Sequence, residues 1–514
     1  MTENLQSNIL TLTSQQIMFM GTGSDVGKSL IVAGLCRLFA NKNINVAPFK
    51  SQNMSNNAAV AHIFDLKTQK ITQDMGEIGR AQWLQAKAAK IAPATNMNPI
   101  LLKPENEIGS QVIINGKKFK SLKAREYYQY KPKFLSVILQ AYQSLQQQHQ
   151  MILVEGAGSP AESNLRKNDI ANMGFAEQIN IPVVLIGDID RGGVIASIVG
   201  TYEVISQADR DRIKGFIINK FRGDISLFDE AIVEIENRTG WKNLGVLPHF
   251  ADAHLLPAED SVALEKAPKT AQKTPKNDKK QPKNAKKTRI LALKMPHIAN
   301  FDDLDPLSQH QNVALNLVKS GVLPEADLII IPGSKSTIAD LEFLYQQGWD
   351  IDIKSHVRRG GKVLGICGGF QMLGKTINDP NLLEGKKTKI QGLGLLDIET
   401  EIAGDKSTNL VEFDGFSAYE IHLGKTSGGD LKSPMITMDN QGFGAKSADG
   451  KVMGSYLHGL FSNDEFREGF LNDLGIDKTD QNYNQTIENT LDNLAQHIEK
   501  YINIESLNEI SQSN

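Results

Sequence analysis

Cysteine is scarce: the 514 residues contain two thiols, Cys36 and Cys367. That excludes a disulfide framework and a four-thiolate zinc site, and a reducing cytoplasm suits such a chain. Neither sign of charge is in excess, since 56 Lys and Arg face 59 Asp and Glu for a formal charge of -3. A global electrostatic footprint for nucleic acid or an anionic membrane is thereby excluded, so any polyanion specificity must be local. Long apolar runs are also missing; none approaches the roughly 20 residues needed to cross a bilayer. The N-terminus has no basic segment leading into an apolar stretch. The expectation is a cytoplasmic protein, neither exported nor membrane-spanning.

What is present points to a soluble globular chain, with 40% hydrophobic and 22% charged residues. Its length exceeds what one hydrophobic core organises, so two domains are expected. The stretch from Lys266 to Thr288 is rich in Lys and holds Pro268, Pro275 and Pro282, with no side chains to build a core. It reads as a solvated spacer. The division is therefore a first domain at 14–262, a linker at 263–288 and a second domain at 289–505. Before the linker, QQIMFMG, INVAPFK, MILVEGAG, IPVVLIGDID and IKGFIINKF alternate with helical patterns. After it the alternation restarts with RILALKMP, ADLIIIPGSKS and GKVLGICGGF. Each half is thus expected to be α/β, a parallel sheet with helices on both faces and ligands outside the carboxyl ends of the strands.

The first such end carries Gly21-Thr22-Gly23-Ser24-Asp25-Val26-Gly27-Lys28-Ser29, between a strand-like run and a helix-like one. Glycines let backbone N–H groups curl around phosphate oxygens, a lysine reaches the β- and γ-phosphates, and a serine hydroxyl joins a Mg²⁺ shell. The spacing is a lengthened variant of the usual phosphate loop, because Thr22 stands where the first glycine is expected. ATP with Mg²⁺ is the expected ligand, and no bound prosthetic group is. Glu155, just after MILV, is placed as a second metal ligand or water-orienting carboxylate, with helix capping as the alternative.

In the second half, Gly365-Ile366-Cys367-Gly368-Gly369 joins a strand-like KVLGI to a helix-like FQMLGK. A thiol on such an elbow is exposed to substrate, sits at a helix start that favours thiolate, and has the Gly368 N–H where an oxyanion forms. Cys36, among apolar neighbours in a helix, reads instead as core. The thiol needs a base; His458 in SYLHG leads and His422 in YEIH competes.

Beyond these two loops, six segments are specific in combination: Phe49 to Met54 (FKSQNM), Glu77 to Gln82 (EIGRAQ), Met97 to Pro99, Glu155 to Glu162 (EGAGSPAE), Asp188 to Gly193 (DIDRGG) and Asn219 to Gly223 (NKFRG). With them the chain resembles the cobyric acid synthase family, glutamine-dependent amidotransferases of cobalamin biosynthesis, over nearly its whole length except the linker. The first half is similar to dethiobiotin-synthetase-like P-loop domains, which share the lengthened loop. The second is similar to class I glutamine amidotransferase domains, whose Pro-Gly turn matches Pro332-Gly333.

The resemblance implies a carbon–nitrogen ligase. ATP would activate the b, d, e and g carboxylates of adenosylcobyrinic a,c-diamide as acyl phosphates, and glutamine would supply the ammonia. It implies Gly333 and Gly368 as the oxyanion hole, Cys367 and His458 as catalytic pair, and Asn219 as a reader of the adenine edge, with a turn-forming role as its alternative. Corrinoid contacts would come from Ser51, Gln52, Asn53, Arg80, Asn98, Lys103, Glu162, Asn164, Asp190 and Arg191. In the wider class a Glu two residues after the His orients it, whereas here Gly459 and Leu460 follow. The expectation is a dyad without that carboxylate. Partners are small molecules, with no nucleic acid and no membrane, and a homo-oligomer is left open. The competing readings are the sister enzyme that amidates the a and c side chains, a nucleotide-gated P-loop scaffold and a glutamine sensor without catalysis.

Overall fold

The computed structural model describes residues 14–106, 109–259, 287–384, 387–404, 406–413 and 415–512. Of the linker expected at 263–288, all but the last two residues lie outside the described residues. The first unit is built on β1 (Gln15–Gly21), β2 (Val46–Phe49), β3 (Met151–Glu155), β4 (Val183–Asp188), β5 (Ile213–Phe221) and β6 (Lys242–Pro248), ordered β6-β5-β4-β1-β3-β2. Every neighbouring pair is parallel. Side chains alternate across a strand, so Met18 and Met20 enter one core while Ile17 and Phe19 enter the other. Two buried faces explain why these strands are continuous apolar runs, each large side chain contributing about 1.5–3 kcal/mol on burial.

The second unit repeats the plan with β7 (Thr288–Leu293), β8 (Val313–Val318), β9 (Leu328–Ile331), β10 (Lys362–Ile366), β11 (Ala445–Lys446) and β12 (Val452–Ser455), ordered β8-β7-β9-β10-β12-β11. Only the β11–β12 pair is antiparallel. Leu291 and Leu293 pack on one face of β7, Ile290 and Ala292 on the other. The chain is thus a two-unit α/β protein. No described helix is long and apolar enough to cross a membrane.

Five helices matter below: α1 (Lys28–Asn41), α2 (Arg80–Ala88), α3 (Gly368–Leu373), α4 (Tyr483–Tyr501) and α5 (Ile504–Gln512). The chain's end departs from the division drawn at 289–505. In α4 the residues Tyr483, Ile487, Leu491, Leu494 and Ile498 make one apolar stripe, and it enters the first unit's core together with α1. A Cβ on Gly34 of α1 would lie 2.3 Å from Ile498 Cδ1, so the two helices cross at close range. Arg37 pairs with Glu488, and the Asn503 N–H donates to Leu244 O at 2.8 Å. Residues 483–512 therefore cap the first sheet, and the second unit is held between two passages of the chain through the first.

Candidate active sites

The glycine loop leaves β1 at Gly21 and enters α1 at Lys28. Gly27 has φ 94°, and a Cβ there would sit 2.3 Å from Asn219 Nδ2, so conformation and space both demand glycine. Lys28 folds over the loop, its Nζ donating to Gly23 O at 3.0 Å and Gly158 O at 3.3 Å. Burial lowers its pKa. The Ser29 hydroxyl lies 2.7 Å from Glu155 Oε1 and 2.9 Å from Glu259 Oε2. Lys50 Nζ bridges the same two carboxylates at 2.8 and 3.2 Å; burial opposes its charge, but the pair of carboxylates prevails and raises its pKa. A hydroxyl and two carboxylates beside a phosphate loop are the hard oxygen donors Mg²⁺ prefers, so these residues fit the ion. Sequence reading placed Glu155 here and missed Glu259, which arrives from a segment with no strand or glycine pattern to mark it.

These groups open onto a cavity of about 670 Å³. Of the expected corrinoid contacts, Gln52, Asn53 and Glu162 line it. Arg191 pairs with Asp25 at the loop's rim and Asp190 with Arg222, while Asn164 is exposed. Ser51 is buried away from the cavity without a hydrogen-bond partner. Asn98 spends its side chain on Lys50 O, Ile100 O and the Gly79 N–H, which makes it a brace. Asn219 likewise braces the loop, its amide donating to Val26 O at 2.8 Å and accepting from the Lys220 N–H. Arg80 and Lys103 do not face this cavity at all; both turn toward the second unit.

There, β10 delivers Cys367 to an elbow ahead of α3, with φ 52° and ψ −107°, a strained backbone of the kind found at reactive positions. The elbow can form because its far side has no Cβ: one added at Gly369 would meet Ile331 O at 1.9 Å. Gly333 and Gly368 line the same small cavity as Cys367 and His458. The Cys367 Sγ lies 3.6 Å from Ile421 O, and His458 Nδ1 lies 2.7 Å from Asp303 Oδ2. The other oxygen, Asp303 Oδ1, accepts the Gly459 N–H at 2.7 Å. Burial works against charge on the imidazole, yet Asp303 and the thiol outweigh it and raise the pKa to about 10. His422 lines the cavity too, but stacks on Tyr456 at 3.7 Å and has no carboxylate at hydrogen-bonding range.

The expected dyad without an orienting carboxylate is therefore corrected: a carboxylate is present, supplied by the segment after β7 rather than from beside the histidine. The signal was available, since Asp302 and Asp303 are an acidic pair just beyond the carboxyl end of the second sheet's first strand. Lys103 enters this cavity from the first unit and pairs with Glu77 at 2.8 Å; Lys406 of the second unit takes the other Glu77 oxygen at 2.6 Å. Burial would raise the Glu77 pKa, but the two ammonium groups hold it at about 2. One carboxylate cannot compensate two buried lysines, and burial pushes Lys406 down to about 7.

Two family models divide the chain as the sheets do. Residues 17–263 match the CobQ/CobB/MinD/ParA nucleotide binding domain, and residues 289–466 match the CobB/CobQ-like glutamine amidotransferase domain. The second match stops before α4, which packs on the first unit. Relatives span both: the cobyric acid synthase of Jannaschia sp. (strain CCS1) is 50% identical over 502 residues, 96% of this chain and 99% of that protein. That of Cereibacter sphaeroides (strain ATCC 17025 / ATH 2.4.3) is 50% identical over 96% of this chain and 98% of its own length. That of Sinorhizobium fredii (strain NBRC 101917 / NGR234) is 50% identical over 95% and 97%. With a phosphate loop, a thiol elbow and relatives 50% identical over 95–96% of its length, the chain belongs to the cobyric acid synthase family.

Proposed function

We propose that this protein amidates the b, d, e and g side-chain carboxylates of adenosylcobyrinic a,c-diamide, in the cytoplasm, with ATP as activator and glutamine as nitrogen donor. The observation that carries this reading is the 50% identity to cobyric acid synthases over 96% of the chain, through the glycine loop and the thiol elbow alike.

In the first cavity a corrinoid carboxylate oxygen attacks the γ-phosphorus of ATP. The bond to the β–γ bridging oxygen breaks, ADP leaves, and an acyl phosphate remains. Lys28 and the loop N–H groups hold the phosphates, while Gln52, Asn53 and Glu162 are positioned to meet the corrinoid. Ser29, Glu155 and Glu259 would hold Mg²⁺, which would neutralise phosphate charge there.

In the second cavity the Cys367 thiolate, paired with the His458 imidazolium, attacks the glutamine side-chain carbonyl, and Gly333 and Gly368 face the developing oxyanion. His458, kept charged by Asp303, gives its proton to the leaving nitrogen; ammonia departs and a thioester remains. Water, deprotonated by the now neutral His458, hydrolyses the thioester to glutamate. Ammonia then attacks the acyl phosphate carbon and phosphate leaves. Free ammonia is mostly protonated at neutral pH, so carriage inside one chain keeps it nucleophilic.

Purified protein given ATP, Mg²⁺, glutamine and either cobyrinic acid or its a,c-diamide tests this, with added amides counted by mass. Four amides on the a,c-diamide is the expected result. Two amides on cobyrinic acid and none on the a,c-diamide would replace this reading with the sister activity. Cys367→Ser should abolish glutamine-driven amidation and keep ammonia-driven amidation, whereas Lys28→Ala should abolish both.

A further inference from the structure

A carboxylate orients an imidazole only as well as its own backbone is held, and the segment bearing Asp303 is held from the other unit. Asn300 adopts the left-handed φ of 52°, and its Nδ2 lies 2.8 Å from Ala58 O of the first unit and 3.1 Å from the Tyr419 hydroxyl. Three residues of 3₁₀ turn later comes Asp303. Between them, Asp302 Oδ2 sits 2.7 Å from Arg80 Nη2. The same Nη2 lies 2.6 Å from the Tyr419 hydroxyl and 3.1 Å from Ala58 O. Tyr419 in turn stacks on His458, ring centroids 5.2 Å apart and 19° from parallel, and is its cross-strand partner. Arg80 is 4% exposed, so a single buried guanidinium from the first unit touches both groups that flank the Asp303–His458 pair.

On this geometry we propose that Arg80 is a positioning residue for glutamine hydrolysis, holding the Asp302–Asp303 turn and Tyr419 so that the imidazole stays aimed at the thiol only while the two units are docked. The guanidinium Nη2 shares its two N–H groups among an acidic turn, a phenol and a carbonyl, in a planar geometry that an ammonium on a flexible stem reproduces less well. The element that carries Arg80 also reaches the nucleotide site. Arg80 opens α2, and Gln82 and Gln85 of the same helix place their amides 3.4 and 2.6 Å from Glu155 Oε2. Gln85 also donates to Ser29 O at 3.3 Å. Nine residues of rigid helix thus join the donor set proposed for the metal to the turn behind the thiol's base. This gives the two chemistries a common mechanical part.

The inference deepens the reading above, and the two fail differently. If the unchanged protein releases no glutamate from glutamine, that reading fails. Given normal turnover in the unchanged protein, Arg80→Gln tests Arg80 alone. Glutamate release should lose kcat by about tenfold to a hundredfold with KM for glutamine moved less than about threefold. Amidation driven by ammonium chloride should stay within about twofold, because Arg80 lines no part of the nucleotide cavity. Arg80→Lys should recover part of the loss, as a bulk effect on folding would not require. Tyr419→Phe, which keeps the ring against His458 and removes only the hydroxyl, should cost about two- to fivefold in kcat; it decides the matter if Arg80→Gln does not fold. Unchanged glutamate release in a folded Arg80→Gln, or in Tyr419→Phe when that variant has to stand in, overturns the inference. So does a raised KM for the a,c-diamide with ammonia, which would return Arg80 to corrinoid binding.

Discussion

The nucleotide cavity and the thiol cavity are built on the same plan, loops at the carboxyl edge of a parallel sheet, and differ in who supplies the walls. No described residue beyond Glu259 lines the first, a cavity of about 670 Å³ whose cations and carboxylates pair with one another. The second is much smaller, about 40 Å³, and Lys103 enters it from the other unit, while Arg80 and Ala58 hold the turn behind its base. The nucleotide site balances its charges with residues of its own unit. A site that must make ammonia only where it will be used gains from taking part of its wall from the consumer.

The largest break in this comparison should come from the thiol site. Asp303→Asn keeps the shape of the turn and withdraws the charge that fixes the imidazole, so glutamate release should fall by about 10²- to 10⁴-fold. Nucleotide binding, followed by calorimetry, should not change, since no part of Asp303 borders the first cavity. An effect on both would show that the nucleotide site is not self-contained.

A smaller effect is expected at the seam. Glu77→Gln leaves Lys103 and Lys406 without their shared carboxylate, and breaking a buried pair of this kind costs about 3–5 kcal/mol. The denaturant midpoint should drop and glutamine turnover with it, while the phosphate loop of the still-folded protein retains its affinity for ATP. Loss of ATP affinity without loss of stability would reverse the direction of dependence drawn here.

The mildest test is pH. His458, raised from 6.5 to about 10 in the folded chain, contributes stability that is fully present below 6.5 and lost as pH rises through about 10. Unfolding free energy should therefore decline between about pH 7 and pH 10.5 in the unchanged protein, and decline less in His458→Gln. Equal decline in both would remove the Asp303 charge from the account of the thiol site.

How much of this was legible in the sequence varied with the range of the interaction. Both sheets, the glycine loop with Lys28 and Ser29, Glu155, and the elbow at Cys367 were readable, because each is a local pattern: an apolar run, a turn chemistry, a strand-to-helix junction. His458 and His422 both sit in strand-like surroundings, and the fold separates them by distance, a carboxylate oxygen lying 2.7 Å from the first and 3.8 Å from the second. Asn219 and Asn98, read as ligand contacts, also brace the chain, because an amide can serve a backbone as readily as a substrate. Arg80 and Lys103 turn toward the second unit for a reason the sequence does not carry: a polar residue near a motif says nothing about which way it points.

By itself, then, the amino-acid order fixed two α/β units, a phosphate loop and a thiol elbow, since those follow from periodicity and backbone sterics over spans of a few residues. Tertiary structure alone decided that Asp303 meets His458 across 155 positions, that Glu259 joins Glu155, that α4 closes the first sheet, and that Arg80 stands behind the other unit's base. Those outcomes depend on where burial leaves charges no partner but one another, and that is a property of the packed chain.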